Sequence, residues 1–162
     1  MILITGGLGY LGVRISEHLL SLGYNVRLGT SRINVVLPQT LKSCECVKFD
    51  FQDSVSLEKA CSGVTVIIHL AALDAVSSLG DPSSAVLVNG LGTLKLLQAA
   101  EKSHVKQFLY MSTVHVYGSP LRGFLDETSL PRPVHHYSIT HRLAEDYVLE
   151  ASKRGCINGV VF

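Results

Sequence analysis

Residues 1–12 read Met1-Ile2-Leu3-Ile4-Thr5-Gly6-Gly7-Leu8-Gly9-Tyr10-Leu11-Gly12. The first four are an apolar run with β-branched members, too short for a helix and long enough for a buried strand. After the glycines, apolar positions 11, 15, 19 and 22 recur at helical spacing. The glycines therefore sit where a strand turns into a helix. In that context a G-x-x-G-x-x-G pattern, common by chance on its own, points to a phosphate-binding turn. Gly6 would permit the tight turn and Gly9 would let a pyrophosphate approach the backbone. Gly12 would let the helix pack closely on the sheet. The helix N-terminus would add free N–H groups and the positive end of its dipole. The bland alternative is a structural turn with no ligand, which the strand–turn–helix context disfavours.

Moving outward, Gly23 ends the helix and residues 24–28 predict a second strand. The end of that strand selects the dinucleotide. Folds that prefer NAD place an acid there for the adenosine ribose. This chain instead reads Gly29-Thr30-Ser31-Arg32. Thr30, Ser31 and Arg32 could donate to a 2′-phosphate, so NADP is favoured and NAD remains possible. The alternative is that Arg32 lies in a solvated loop. Residues 33–45 predict a loop, 46–50 a third strand and 54–61 a short helix. Residues 64–70 are the clearest strand in the chain, running into the small pair Ala71-Ala72. His69, alone in that apolar run, reads as a satisfied core residue. Residues 82–103 predict one long helix containing Asn89, and 106–111 a fifth strand. Residues 119–135 carry three prolines and predict a loop. Residues 137–153 predict the last helix, and 156–162 begin a sixth strand.

At 162 residues the chain is long enough for one domain with a substantial core. A hydrophobic content of 47% and a mean hydropathy of +0.32 suit near-continuous buried parallel strands. A net charge of +1 gives no polybasic footprint for nucleic acid or a membrane surface. The longest apolar run is far short of a bilayer span, and no basic region precedes the first strand as in a signal peptide. The four cysteines form no C-x-x-C, so zinc is not expected; reduced thiols in a cytoplasmic protein are. His135, His136 and His141 lack an acid or cysteine at a familiar ligand spacing, so no metal is expected there either.

Strands alternating with helices predict an α/β, Rossmann-like, doubly wound parallel sheet. Ligands in such sheets bind beyond the carboxyl ends of the strands. The glycine turn, residues 30–32, Asp50, Ala71-Ala72 and Ser112-Thr113 all lie at such ends. They come from five different strands and should converge on one crevice.

The run Thr5 to Gly12, the Asp50-Phe51 pair, His69-Leu70-Ala71-Ala72, Asn89, the Ser112 to Gly118 run and a helix opening at Tyr137 together resemble one family. It is the extended short-chain dehydrogenase/reductases, in particular the NAD(P)-dependent epimerase/dehydratase family acting on nucleotide sugars. The resemblance implies that Gly6, Gly9, Tyr10, Leu11 and Gly12 contact the pyrophosphate. It implies that Asp50 and Phe51 hold the adenine, that Leu70, Ala71 and Ala72 line the nicotinamide side, and that Asn89 sits near the cofactor. Thr113 takes the place of the catalytic Ser or Thr, and Tyr137 that of the catalytic tyrosine. As general base, Tyr137 would take a proton from a substrate hydroxyl while hydride passes to the nicotinamide. Thr113 would stabilise the charge developing on the same oxygen.

The family pattern Tyr-x-x-x-Lys reads Tyr137-Ser138-Ile139-Thr140-His141 here. The missing lysine would bond the nicotinamide ribose and favour the phenolate by its fixed charge. Three outcomes stay open: His141 substitutes, Arg142 or another group supplies the charge, or the site binds cofactor and catalyses poorly. Glu145 and Asp146 read as solvated or interface charges. The resemblance further implies a homodimer through the helices at 82–103 and from Tyr137, and a substrate-binding region beyond Phe162. The alternatives to a nucleotide-sugar enzyme are an NADP-dependent reductase of a small carbonyl or sterol-like substrate, and a weakly catalytic dinucleotide sensor.

Overall fold

The computed structural model describes residues 1–32 and 34–162; Ile33, in the expected 33–45 loop, lies outside the described residues. Six parallel strands form one sheet in the order β3-β2-β1-β4-β5-β6. They are β1 (Ile2–Thr5), β2 (Val26–Thr30), β3 (Glu45–Lys48), β4 (Val66–His69), β5 (Gln107–Tyr110) and β6 (Asn158–Val161). The order reverses at β1, whose neighbours are β2 and β4. That is the switch point at which a doubly wound sheet opens its crevice.

Alternation along β1 divides the core between the two faces. Leu3 joins Leu57, Ile67, Leu96, Phe108 and Val148. That face is covered by α2 (Ser54–Cys61), α5 (Thr93–Lys102) and α6 (His136–Lys153). Ile2 and Ile4 join Val26, Leu28 and Leu41 on the other face, under Val13, Ile15, Leu19 and Leu20 of α1 (Tyr10–Ser21). The helical row expected at 11, 15, 19 and 22 holds only in its middle. Leu11 and Leu22 are exposed, and Gly12 and Ser16 are the fully buried positions of α1. The first turn of α1 stands over the glycine turn rather than the sheet, so Leu11 faces the crevice.

The second strand lies two residues later than the 24–28 expected, because Leu28 and Gly29 pair with Ile4 and Thr5. Thr30 is therefore the buried last residue of β2, at the crevice. The long helix expected over 82–103 is also segmented. A short α3 (Ala75–Gly80) and α4 (Pro82–Ala85) precede a wide-turned π-helical stretch (Val86–Gly92), which continues into α5. Such stretches insert one extra residue per turn. Its buried residues are Asn89, Gly90 and Gly92, and the Asn89 side chain bonds the strand-end segment described below. The opening of α6 is closed by a reciprocal cap, with Ser138 N–H donating to His135 Nδ1 and His135 N–H to Ser138 Oγ. No helix among the described residues is long and apolar enough to cross a membrane.

Candidate functional site

Gly6 leaves β1 at φ +66°, a left-handed conformation that glycine adopts without strain. A Cβ there would lie 3.0 Å from Ala71 N, so β1 and the segment after β4 meet through this glycine. Gly12 has a different neighbour from the one expected. Its Cβ would stand 2.7 Å from Gly7 C, so it packs α1 onto the turn itself and not onto the sheet. Gly9 precedes α1 with no side-chain cap, and the first turn carries no acid. The first N–H groups of the helix are thus left for a ligand.

Two adjoining recesses open above this turn and share Gly6, Gly9, Leu70 and Ala72. The larger, about 540 Å³, is lined by Thr30, Ser31, Arg32, Asp50, Phe51 and Ala71 among others. The smaller, about 330 Å³, is lined by Tyr10, Leu11, Gly12, Met111, Ser112, Tyr137 and His141. Residues from the ends of β1, β2, β3, β4 and β5 do converge on one crevice. Leu73, Ser84, Leu87 and Met111 also line it. Met111 follows β5 at the distance at which Leu70 follows β4, a strand-end signal available in the sequence. Ser84 and Leu87 come from the segmented helix and carried no such signal.

Asn89 and Thr113 do not line either recess. Asn89 is 1% exposed and acts behind the wall. Its Oδ1 accepts from Leu73 N–H at 2.8 Å, and its Nδ2 donates to Leu73 O at 3.3 Å and to Thr140 Oγ1 at 3.1 Å. Thr113 caps a turn at Val114–Tyr117, its Oγ1 accepting from His115 N–H at 3.3 Å.

The wall between β4 and Leu73 hangs on a buried chain of hydrogen bonds whose direction is fixed at each step. Thr93 Oγ1 donates to Asn89 O at 2.6 Å, so it accepts from His69 Nε2–H at 2.9 Å. The other ring nitrogen, Nδ1, then accepts from Thr5 Oγ1 at 2.6 Å. Thr5 Oγ1 in turn accepts from Leu70 and Ala71 N–H. His69 is fully buried with both nitrogens satisfied, as its place in the strand predicts. Burial, and secondarily the nearby His141, push its pKa down to about 3.

On the opposite wall, the Tyr137 and His141 rings are neighbours with centroids 4.3 Å apart. His141 is 2% exposed, and burial pushes its pKa down to about 4. At neutral pH it is uncharged and cannot replace the fixed charge of a lysine. Its Nδ1 lies 2.8 Å from Tyr110 Oη. Burial drives the Tyr110 phenol well above its ordinary value, so that hydroxyl stays protonated and donates to Nδ1. The remaining Nε2–H of His141 is buried without a partner. Arg142 is engaged elsewhere, pairing with Glu145 Oε2 at 3.1 Å and with Asp146. Glu145 departs from the solvated or interface charge expected: it is 6% exposed and accepts from Ser112 Oγ within the same chain.

A parallel sheet with a glycine turn at its switch point, an uncapped helix above it and a Tyr–His pair across the crevice define a dinucleotide-binding domain. The chain belongs to the NAD dependent epimerase/dehydratase family, whose family model matches residues 2–162. A UDP-glucose 4-epimerase of Rhizobium leguminosarum bv. trifolii is 29% identical over 163 aligned positions, covering 99% of this chain and 50% of that protein. The solved structure of the Thermus thermophilus UDP-glucose 4-epimerase with NAD superposes with a TM-score of 0.88 at 29% identity, covering 99% of this chain and 53% of that one. MoeE5 in complex with UDP-glucuronic acid and NAD gives a TM-score of 0.86 at 29% identity, with 99% and 52% covered. The chain spans about half the length of these relatives.

Proposed function

We propose that these residues form the dinucleotide-binding unit of an epimerase or dehydratase acting on a nucleotide sugar, with Tyr137 as the base. The observation that carries this reading is the recess in which Tyr137 and His141 face the glycine turn. A nicotinamide dinucleotide, when bound, would accept hydride from the sugar and later return it. The residues present fit that group: α1 offers uncapped N–H donors for a pyrophosphate, and His141 offers an unpartnered Nε2–H for a ribose hydroxyl. Asp50 and Phe51 flank the adenine end, and Leu70, Ala71 and Ala72 the nicotinamide end. Tyr137 takes the proton of the reacting hydroxyl. Thr113 stands beside the recess rather than in its lining; its Oγ1 accepts from backbone, so its O–H is the group it would bring to the charged oxygen.

His141 orients and donates but brings no charge, so it does not supply the electrostatic help a lysine would give the phenolate. The test is His141→Lys. An ammonium within about 4–6 Å favours the phenolate by roughly 1–3 units, so the rising limb of the pH–turnover profile should move to lower pH by about that much. An unmoved profile in a variant that still binds dinucleotide would sink the role given to position 141. Dinucleotide binding without turnover in either protein would support the sensor reading, which the neutrality of His141 favours.

The two solved structures named above hold NAD, while the acid-free Thr30-Ser31-Arg32 end of β2 supports room for a 2′-phosphate; we favour NADP on that ground and expect NAD to bind as well. A homodimer is supported by Val86, Ile139 and Leu143, exposed apolar residues on the π-helical stretch and α6. Leu143 touches the backbone at Gly90, so these residues share one face. Four free thiols suit a reducing, cytoplasmic setting.

A further inference from the structure

Tyr137, His141 and Glu145 follow one another at four-residue spacing and so share one face of α6. Tyr137 and His141 line the smaller recess. Glu145 lies behind it and meets Ser112, which lines the recess two residues past β5. Glu145 is 6% exposed, and its second oxygen accepts from Arg142 Nη1 at 3.1 Å. Paired in this way it is a carboxylate, which can only accept. The single hydroxyl proton of Ser112 is therefore committed to Glu145, and its backbone N–H is committed to Phe162 O at 2.8 Å. With both donors committed, Ser112 has only acceptors to offer the recess, and its side chain only the lone pairs on Oγ.

We propose that Ser112 is an acceptor-only contact for a ligand N–H or O–H in this recess, with Glu145 as the positioning residue that fixes its polarity. This deepens the dinucleotide reading above and rests on it. That reading brings two donors to this end of the crevice: the carboxamide N–H of the nicotinamide and a hydroxyl of the sugar. Thr113, one residue on, has the opposite polarity, since its Oγ1 already accepts from backbone.

Glu145→Gln tests the polarity without removing an atom from the recess. Arg142 would draw the amide oxygen, turning the amide N–H2 toward Ser112. Ser112 would then accept from Gln and donate into the recess. The measurement is calorimetric affinity for NAD and for 3-acetylpyridine adenine dinucleotide, which keeps the ring carbonyl and lacks the amide N–H. UDP-glucose is then titrated into the NAD-saturated protein. Wild type, Ser112→Ala and Glu145→Gln are compared.

One hydrogen bond corresponds to roughly a two- to tenfold preference. If the carboxamide is the donor, wild type prefers NAD to the analogue by about that factor, and both variants bind the two equally. If a sugar hydroxyl is the donor, the dinucleotide ratio is unchanged and both variants weaken UDP-glucose by about that factor. A packing role would weaken both dinucleotides alike and leave their ratio unmoved, which overturns the proposal. So does a Glu145→Gln protein matching wild type in ratio and in sugar affinity. Should Glu145→Gln not fold, Ser112→Ala still decides, because it deletes one oxygen and leaves the Glu145–Arg142 pair in place. No binding of either dinucleotide by wild type would refute the underlying site reading, a result distinct from binding without discrimination.

Discussion

Two neutral histidines buried in the site wall should make the fold sensitive to mild acid. His69 and His141 have an ordinary pKa of 6.5, and burial pushes them down to about 3 and about 4. The unfolded chain therefore binds more protons than the fold at every pH between those values and 6.5. Their contribution to stability is fully present above 6.5 and is lost as pH falls toward 4 and 3. Between pH 7.5 and pH 5 each ring should cost about 2 kcal/mol, or roughly 4 kcal/mol together. That is a large part of a typical margin of about 5–15 kcal/mol. The window also isolates the imidazoles from carboxylates held below their usual range. Asp74 is held there by the Ser77 backbone, Asp81 by the Ser84 side chain and Asp126 by the Thr128 side chain. They release their contribution only as pH falls below their ordinary 3.8. The assay is urea unfolding at the two pH values for wild type, His69→Gln and His141→Gln. Each variant should be less stable at pH 7.5, yet lose about 2 kcal/mol less than wild type on acidification. A wild type that loses under about 1 kcal/mol, or variants with its full slope, would refute the assignment of both rings as buried and neutral.

Arg32→Ala should weaken NADP by roughly tenfold and leave NAD nearly unchanged in calorimetric titration; equal losses for both would remove the phosphate-reading role of β2's end. Gly12→Ala would push a Cβ into the backbone of the glycine turn, at a cost of about 1–3 kcal/mol in chemical denaturation. Dinucleotide affinity should fall with it, and wild-type affinity would show that the turn tolerates displacement. Ile139→Glu should convert the proposed homodimer to monomer in light scattering at micromolar concentration. A wild-type protein already monomeric there would refute the interface.

The parts of the site that were legible are those whose chemistry is local. A glycine turn between a strand and a helix, an acid-free strand end and small residues past an apolar run all announce themselves within about ten positions. The parts that were not legible depend on distant partners. Glu145 resembles any exposed helical charge until Ser112, 33 residues away, is found above it. Asn89 resembles a cofactor contact until Leu73, 16 residues earlier, takes its amide. Asn89 also sits in the wide-turned stretch that breaks the regularity of the 82–103 helix, which a pattern of leucines does not report. His69 was readable for the opposite reason: inside so apolar a strand, a histidine has to be buried and satisfied.

The replacement of lysine at position 141 fits its surroundings. The Tyr110 ring lies between His69 and His141, with centroids 5.6 Å from one and 5.8 Å from the other. A fixed positive charge at 141 would further disfavour protonation of the buried His69. It would also remove the acceptor of the Tyr110 hydroxyl. Neutral His141 satisfies that hydroxyl and still presents one N–H to the recess. The wall on the other side is held by the same kind of interaction, from Thr5 through His69, Thr93 and Asn89 to Thr140, the residue before His141. Both walls of the crevice are thus set by uncharged, directional hydrogen bonds in a buried layer. Such a layer fixes position well and supplies little charge stabilisation.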